Sequence, residues 1–502
     1  MPEHIRALIV VLVVSSLVWL SVRPAIVQIV SPQTFARWRV LWYVTTFAWF
    51  LAHSFWIYVG IMIMVLLVAG RREAHVFGLY LLLLLAAPPA AAPIPGLGIL
   101  DHFFELNHYR LLALALLLPC AWRLALRGST IRYFQSPVDW LVLAYLLVNA
   151  VLAFRGGNFT ADTRAALMLW IDLFLPYYVA SRSIQNTDGL RHALAGLVLG
   201  GLVLSVLAAV EVLRSWRLYD AATMALGLNP FSYYKMRGGF VRPSATIGES
   251  ITLGYVIVVA SGAYLYLQRC IVERRNRRLG WLLLSLGVLA SLARAPWVGA
   301  LLLLFVFVIV GPHPIKRMVQ GGVISICIFF ALSLVPMGQQ FISLLPFVGD
   351  EEQGNVDYRA SLLTVAIPVV ERNLLFGSSD FLNAPELQVM RQGEGIIDVV
   401  NSYLGVALYA GLVGLFLFAG MFISALVSIR RGKRWALENN DTDGLVLGRA
   451  MFATVVAVIF IIFTMSSILA VPIIYFCIIG ISCAYFLMQR SHHREKQKSQ
   501  SV

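Results

Sequence analysis

The stretch SLARAPWVGA, residues 291–300, sets Arg294 between two apolar runs, WLLLSLGVLA before it and LLLLFVFVIV after it. A full charge in hydrocarbon is costly unless it is paired or faces water, so such an arginine is a functional-site hypothesis by default. Other charged groups keep it company. KMRGGFVRPSATIGES (235–250) gathers Lys235, Arg237 and Arg242 around a Gly-Gly pair and brings Glu249 to the mouth of an apolar run. DYRASLLTVAIPVVERN (357–373) carries Tyr358 and Arg359, and DVVNSYLGVALYAGLVGLF (398–416) opens with Asp398, Asn401 and Tyr403. Guanidinium groups bind phosphate bidentately, so several arginines converging on one face suit a phosphate-bearing ligand. The competing reading of Arg294 is a structural ion pair with Asp172 or Glu211.

These groups must be positioned by a membrane protein. The chain has 502 residues, is 60% hydrophobic and only 13% charged, whereas soluble domains are nearer half apolar and a quarter charged. Its five cysteines lie in or beside apolar runs without paired spacing, which suggests neither a disulfide framework nor a metal site. With roughly 20 apolar residues needed per crossing, about 14 spans are expected. They fall near 5–22, 40–69, 76–92, 111–126, 138–154, 166–181, 192–213, 247–268, 279–293, 296–310, 318–336, 401–429, 450–468 and 470–488. The second is long enough to be broken around His53.

Positive residues set the orientation. With the N-terminus inside, Arg71, Arg72, Arg123, Arg127, Arg132, Arg182 and the runs ERRNRR and RRGKR all fall on the cytoplasmic side. The formal charge of +14 then reflects topology and contact with anionic lipid, not nucleic acid. The outer side carries two substantial loops. The chain divides into N-terminal helices over 1–213, an outer loop over 214–246, and central helices over 247–336. A large outer loop over 337–400, C-terminal helices over 401–488 and a tail over 489–502, expected to be disordered, complete it. In the large loop Asp357 is the expected N-cap of an amphipathic interfacial helix with Arg359 in its first turn. Residue counting from Arg278 and back from Val310 gives a rise of about 22 Å on each side of the Arg294 junction. Both fall short of a core of about 30 Å, so Arg294 should sit several ångströms below the outer surface. A recessed positive site of this kind suits a lipid-linked pyrophosphate.

Four stretches in order, RGGFVRP, SLARAPWVG, DYRASL…ERNLLFGSS and VVNSYLGVALYAGLVGL, resemble the O-antigen ligase and Wzy-type polymerase superfamily of envelope glycosyltransferases. They span roughly residues 237 to 418. The resemblance implies a GT-C-like, all-α fold acting on undecaprenyl-diphosphate-linked glycans at the periplasmic face of the bacterial inner membrane, with both termini cytoplasmic. It implies that Arg294 and Arg359 hold the donor diphosphate, that Arg237 or Arg242 assists, and that the reaction is inverting and needs no metal or other cofactor. Asn401, Tyr403 and Tyr358 would support the site. Ligases of this kind carry a histidine just before the Asn-x-Tyr-Leu element. Here that position is Val400, and no histidine occurs between His313 and His492. The candidates for an acceptor base are therefore Asp398 and Glu249.

The departure favours a polymerase of repeat units, for exopolysaccharide or O antigen, over a lipid A–core ligase. Donor and acceptor would both be lipid-linked oligosaccharide, and a chain-length regulator is a candidate partner. The alternative from another class is a lipid-linked oligosaccharide transporter or flippase, which should line its lumen with charge and show repeat symmetry. Here the charges gather at one face and no repeat is visible.

Overall fold

The computed structural model describes residues 1–96, 101–126, 133–232, 234–322, 353–391 and 395–500. The expected span at 318–336 lies largely outside the described residues, as do Arg127, Arg132, Cys327 and positions 337–352. The protein is an all-α polytopic membrane protein, with nine helices among the described residues long and apolar enough to cross a bilayer. The difference from the expected number lies mainly in helices that are shorter or interrupted.

Chain ends and helix breaks reflect local chemistry. Helix α1 (Glu3–Ile26) is followed by α2 (Pro32–Leu51), whose N-cap Ser31 accepts from Thr34 N with Pro at the first helical position. The long second span is two helices: α2 ends, His53 sits in the break, and α3 (Phe55–Arg72) starts on the Ser54 cap. That break moves one terminus. Arg37 Nη1 donates to Arg72 O at 2.8 Å, so the start of α2 lies with the end of α3. Trp216 Nε1 donates to Glu3 Oε1 at 2.8 Å, so the N-terminus shares an end with the 214–246 loop. The C-terminal helix finishes at the other end, and the expectation of two termini on one side is corrected. Taking 40–69 as a single crossing leaves out one passage of the chain.

Helix α4 (Val76–Leu83) is a half-helix rather than a span to residue 92. Pro88, Pro89, Pro93 and Pro95 cannot continue a helix, and the chain runs into a hairpin of β1 (Ala91–Pro95) and β2 (His102–Asn107). Non-helical backbone at membrane depth must be satisfied by protein. His108 Nε2 sits 2.8 Å from Leu83 O, and Thr246 Oγ1 donates to Leu85 O at 2.7 Å. Asn107 caps α5 (His108–Leu112), which passes through a π-helical turn (Ala113–Leu117) into α6 (Leu118–Leu126). Helix α7 (Pro137–Ala153) starts in a Ser136/Asp139 capping box. Helix α8 (Phe159–Leu169) likewise passes through a π turn (Trp170–Phe174) into α9 (Leu175–Ser183).

The central pillar is α10 (Thr187–Arg214), buried along most of its length against α4 and two later helices, α12 (Ser250–Leu267) and α13 (Arg274–Ala290). Short α11 (Asp220–Ala225) and a second hairpin, β3 (Met236–Arg237) with β4 (Phe240–Val241), fill the loop before α12. Helix α14 (Arg294–Ile309) follows α13 after a break of three residues, Ser291, Leu292 and Ala293. The loop helix α15 (Gln353–Arg372) buries Leu362, Ala366 and Val369 and exposes Leu363 and Ile367. It begins before Asp357, which is therefore inside the helix and not its cap. After α16 (Pro385–Gln388), the long α17 (Ser402–Glu438) pairs with α18 (Thr442–Ile462) and α19 (Ala470–Gln500). The tail is helical to Gln500: Lys496 Nζ donates to Glu438 O, and His493 stacks on Trp435 at 5.8 Å. The expected disorder of the tail is corrected, because α17 supplies a surface for it to lie on.

Candidate active site

The RGGF sequence makes the first part of the site. Gly238 and Gly239 both have positive φ, 52° and 76°, which is the backbone a tight hairpin requires and most residues avoid. The turn folds β3 onto β4, and Arg242 N donates to Lys235 O at 2.9 Å. Arg237 then reaches across to the α13–α14 junction, where its Nη1 donates to Leu292 O at 2.6 Å. Arg294 is half-buried in the first turn of α14, two residues on, with Pro296 beside it in the same turn. Helices α13 and α14, of 17 and 16 residues, rise only about 24–26 Å at 1.5 Å per residue, less than a bilayer core of about 30 Å. The ion pairs considered for Arg294 go elsewhere. Asp172 is bound by Arg110, and Glu211 accepts three backbone N–H groups from Leu218, Ser244 and Ala245 at 2.9 Å each.

The two candidate bases lie within electrostatic reach of each other. Glu249 is the half-buried N-cap residue of α12, and Arg242 Nε donates to the neighbouring Ser250 Oγ at 2.8 Å. Burial raises the Glu249 pKa above the ordinary carboxylate range, and the nearby charge of Asp398 raises it further. Arg242, Lys235 and the Thr252 hydroxyl act in the opposite direction. Asp398 accepts from Ser466 Oγ at 2.5 Å through its side chain and from Tyr358 Oη at 3.1 Å through its backbone carbonyl. Exposed Arg359, one residue from Tyr358, donates from Nη2 to Thr464 O at 3.3 Å.

Asn401 and Tyr403 are frame. Asn401 caps α17 through Tyr403 N and Leu404 N, while Tyr403 Oη donates to Ile459 O and its ring lies 5.5 Å from that of Phe418. The 463–469 turn between α18 and α19 does not stand out in the sequence, yet it touches three parts of the site. Ser466 reaches Asp398, Thr464 receives Arg359, and Ser467 donates to Ser402 Oγ at 2.8 Å. The one signal that could find it is the polar T-x-S-S run between two apolar helices.

The NLLFGSS stretch also acquires a mechanical meaning. Helix α17 is interrupted at Gly411, with φ 66° and ψ −164°, and segment 374–378 inserts into the gap. Leu412 N donates to Leu374 O, Val413 N to Leu375 O, and Ser378 N to Leu408 O, at 2.8 to 3.1 Å. A Cβ on Gly411 would lie 2.4 Å from the Leu375 backbone, so the fit demands glycine. Arg155 clamps the join by donating to the carbonyls of Phe376, Gly377 and Tyr409. The sequence predicts close packing at Gly411 but gives no sign that the helix breaks there.

Metal-binding potential lies elsewhere. Among the described residues one group could hold an ion: His75, Asp188 and His192, with ligand atoms within 4.8 Å of one another. It sits at the start of α10, whereas Glu211 and the hairpin are at its finish. What gathers at the finish is a set of cationic groups around two carboxylates, suited to holding an anion beside a proton acceptor.

No curated protein matches the chain. Residues 279–419 match the model of the family described as O-Antigen ligase. The match takes in Arg294, Arg359, Asp398, Asn401 and Tyr403 and stops short of the hairpin arginines and Glu249. Over residues 279–419 the chain is thus similar to the O-antigen ligase family, consistent with a membrane protein of the O-antigen ligase and polymerase superfamily.

Proposed function

We propose that the protein is a glycosyltransferase that polymerises undecaprenyl-diphosphate-linked oligosaccharide repeat units at the periplasmic face of the inner membrane. The observation that carries this reading is the Arg237 bond to Leu292 O, two residues before Arg294, with Glu249 in electrostatic reach of Asp398, Lys235 and Arg242. An acceptor hydroxyl attacks the anomeric carbon of the donor from the face opposite the diphosphate. The new C–O bond forms as the old one breaks, and the electron pair leaves with the lipid diphosphate. Arg294 and Arg359, assisted by Arg237 or Arg242, stabilise the charge that develops there. Glu249 or Asp398 takes the hydroxyl proton; a carboxyl with a raised pKa is the better matched acceptor near neutral pH.

The basic run ERRNRR supports a cytoplasmic α12–α13 end of the bundle, with the hairpin end outside. The N-terminus is then periplasmic and the C-terminus cytoplasmic. The absence of histidine at Val400 weighs for polymerisation over ligation. Purified protein given only lipid-diphosphate repeat units should yield a ladder of lengthening products. Transfer solely upon addition of a second acceptor would make it a ligase, and no transfer with either would end the glycosyltransferase reading.

A further inference from the structure

A cavity of about 530 Å³ lies beside the site, lined by the first hairpin, α5, α8 and the 467–475 region. That is within the usual range for small-molecule sites, about 300–1,000 Å³. Its central feature is an ion pair set by the N-terminal half. Arg110 Nε donates to both Asp172 oxygens at 3.1 Å, and Nη2 to Oδ2 at 2.9 Å. The two side chains are 17% and 21% exposed. Arg110 Nη1 also donates to Glu105 O at 2.6 Å, so the guanidinium is held from two sides.

Both partners stand on irregular helices. The π turn of residues 113–117 comes directly after the short helix that carries Arg110, and the π turn of residues 170–174 contains Asp172; the two turns pack against each other. Such turns are rare and cluster at functional sites. An extra residue in a helical turn rotates the residues after it, which is a way to aim a side chain at a particular spot. Tyr145 and Tyr475 line the same cavity. A neutral ion pair with lone pairs and N–H groups still available, among aromatic rings, offers donors and acceptors for vicinal hydroxyls and flat faces for C–H groups. That is recognition chemistry for sugar, not for a diphosphate.

The cavity also borders the turn that holds Asp398. Ser467 lines it, and the adjacent Ser466 donates to Asp398. We propose that this cavity is a glycan subsite in which Arg110 and Asp172 bind the sugar unit of the acceptor chain and present its hydroxyl toward Asp398 and Glu249. The inference rests on the glycosyltransferase reading for the identity of the acceptor. It places selectivity for the repeat unit in the N-terminal half, outside residues 279–419.

The test uses the purified full-length protein and repeat-unit oligosaccharide cut from the host's own surface polysaccharide. Binding of this free oligosaccharide is titrated, and elongation of lipid-diphosphate repeat units is assayed in parallel. Asp172→Asn removes the charge; Ala165→Trp narrows the cavity from an exposed position on α8 and leaves the pair intact. Each is expected to weaken oligosaccharide binding about tenfold, the scale of one charged hydrogen bond. The acceptor KM should rise in step, with inhibition by undecaprenyl diphosphate unchanged. Folded variants that bind and elongate like the wild type would overturn the subsite and leave the polymerase reading standing. Binding that is lost in the variants while the wild type fails to elongate would support the subsite and defeat the polymerase reading.

Discussion

Two of the places where this molecule gathers arginine with carboxylate could hardly be arranged more differently. Near the start of α7, Asp139 and Arg182 meet at 2.7 Å with side chains 0% and 1% exposed. Tyr177 Oη donates to Asp139 Oδ1 at 2.7 Å, Ser136 N donates to Oδ2, and Arg182 lies 5.0 Å from the centre of the Tyr133 ring. Every group there is turned inward, and the result ties α7 to α9. At the hairpin end, the charges come from four separate segments, remain partly accessible, and include two carboxylates that repel each other. The first arrangement lowers the cost of burying charge by pairing it. The second leaves its charged groups partly accessible to a ligand, and that accessibility separates a candidate site from a brace.

Breaking the brace should have the largest effect. Removing one partner of a buried pair costs about 3–5 kcal/mol, so Asp139→Ala should sharply lower the detergent melting temperature and the yield of folded protein. A melting curve that matches wild type would mean that Asp139 does not brace the bundle. Arg294→Ala and Arg359→Ala should do the reverse, melting normally while losing chain elongation. Removal of one preorganised donor typically lowers kcat by about 10²–10³. Full-length polymer from either variant at normal expression would remove that arginine from diphosphate binding.

A subtler prediction concerns the repelling carboxylates. If Glu249 accepts the proton it must be ionised, so activity falls as pH drops through its raised pKa. Asp398→Asn deletes a negative neighbour, lowers that pKa and moves the acid limb of the rate profile to lower pH. Arg242→Ala deletes a positive neighbour and moves it to higher pH. Profiles that fail to move in opposite directions would exclude Glu249 as the acceptor, and loss of rate at all pH in Asp398→Asn would assign the role to Asp398. Smallest of all, Tyr403→Phe removes one hydrogen bond to Ile459 O and should cost about 0.5–1.5 kcal/mol of stability with turnover unchanged. A collapse of turnover would move Tyr403 from the frame into the chemistry.

The contrast also explains what the sequence could and could not disclose. Arg294 is legible because its surroundings are so apolar that charge needs a reason, and the Gly-Gly pair announces its own hairpin. Arg182 is not: at the end of an apolar run it reads as a cytoplasmic anchor, and only tertiary packing brings Asp139 to it. The same limit hides the turn of residues 464–467, whose hydroxyls become informative once Asp398 is beside them. Apolar run lengths locate most helices and mark 40–69 as long enough to break around His53, yet they do not show that the break yields two crossings, nor do they find the half-helix ending at Leu83. Those breaks depend on caps, prolines and distant side chains that satisfy the freed carbonyls. Arg110 and Asp172 form no motif, since their meaning lies in two π turns and a cavity.

The central claim is that the charged group at the hairpin end is where a glycosyl unit is transferred from a lipid diphosphate. The most direct measurement compares wild type with Arg294→Ala, purified and matched in melting temperature, on synthetic lipid-diphosphate repeat units. The wild type should yield a ladder of lengthening glycan, and the variant should leave starting material alone. An equal ladder from both would contradict the claim.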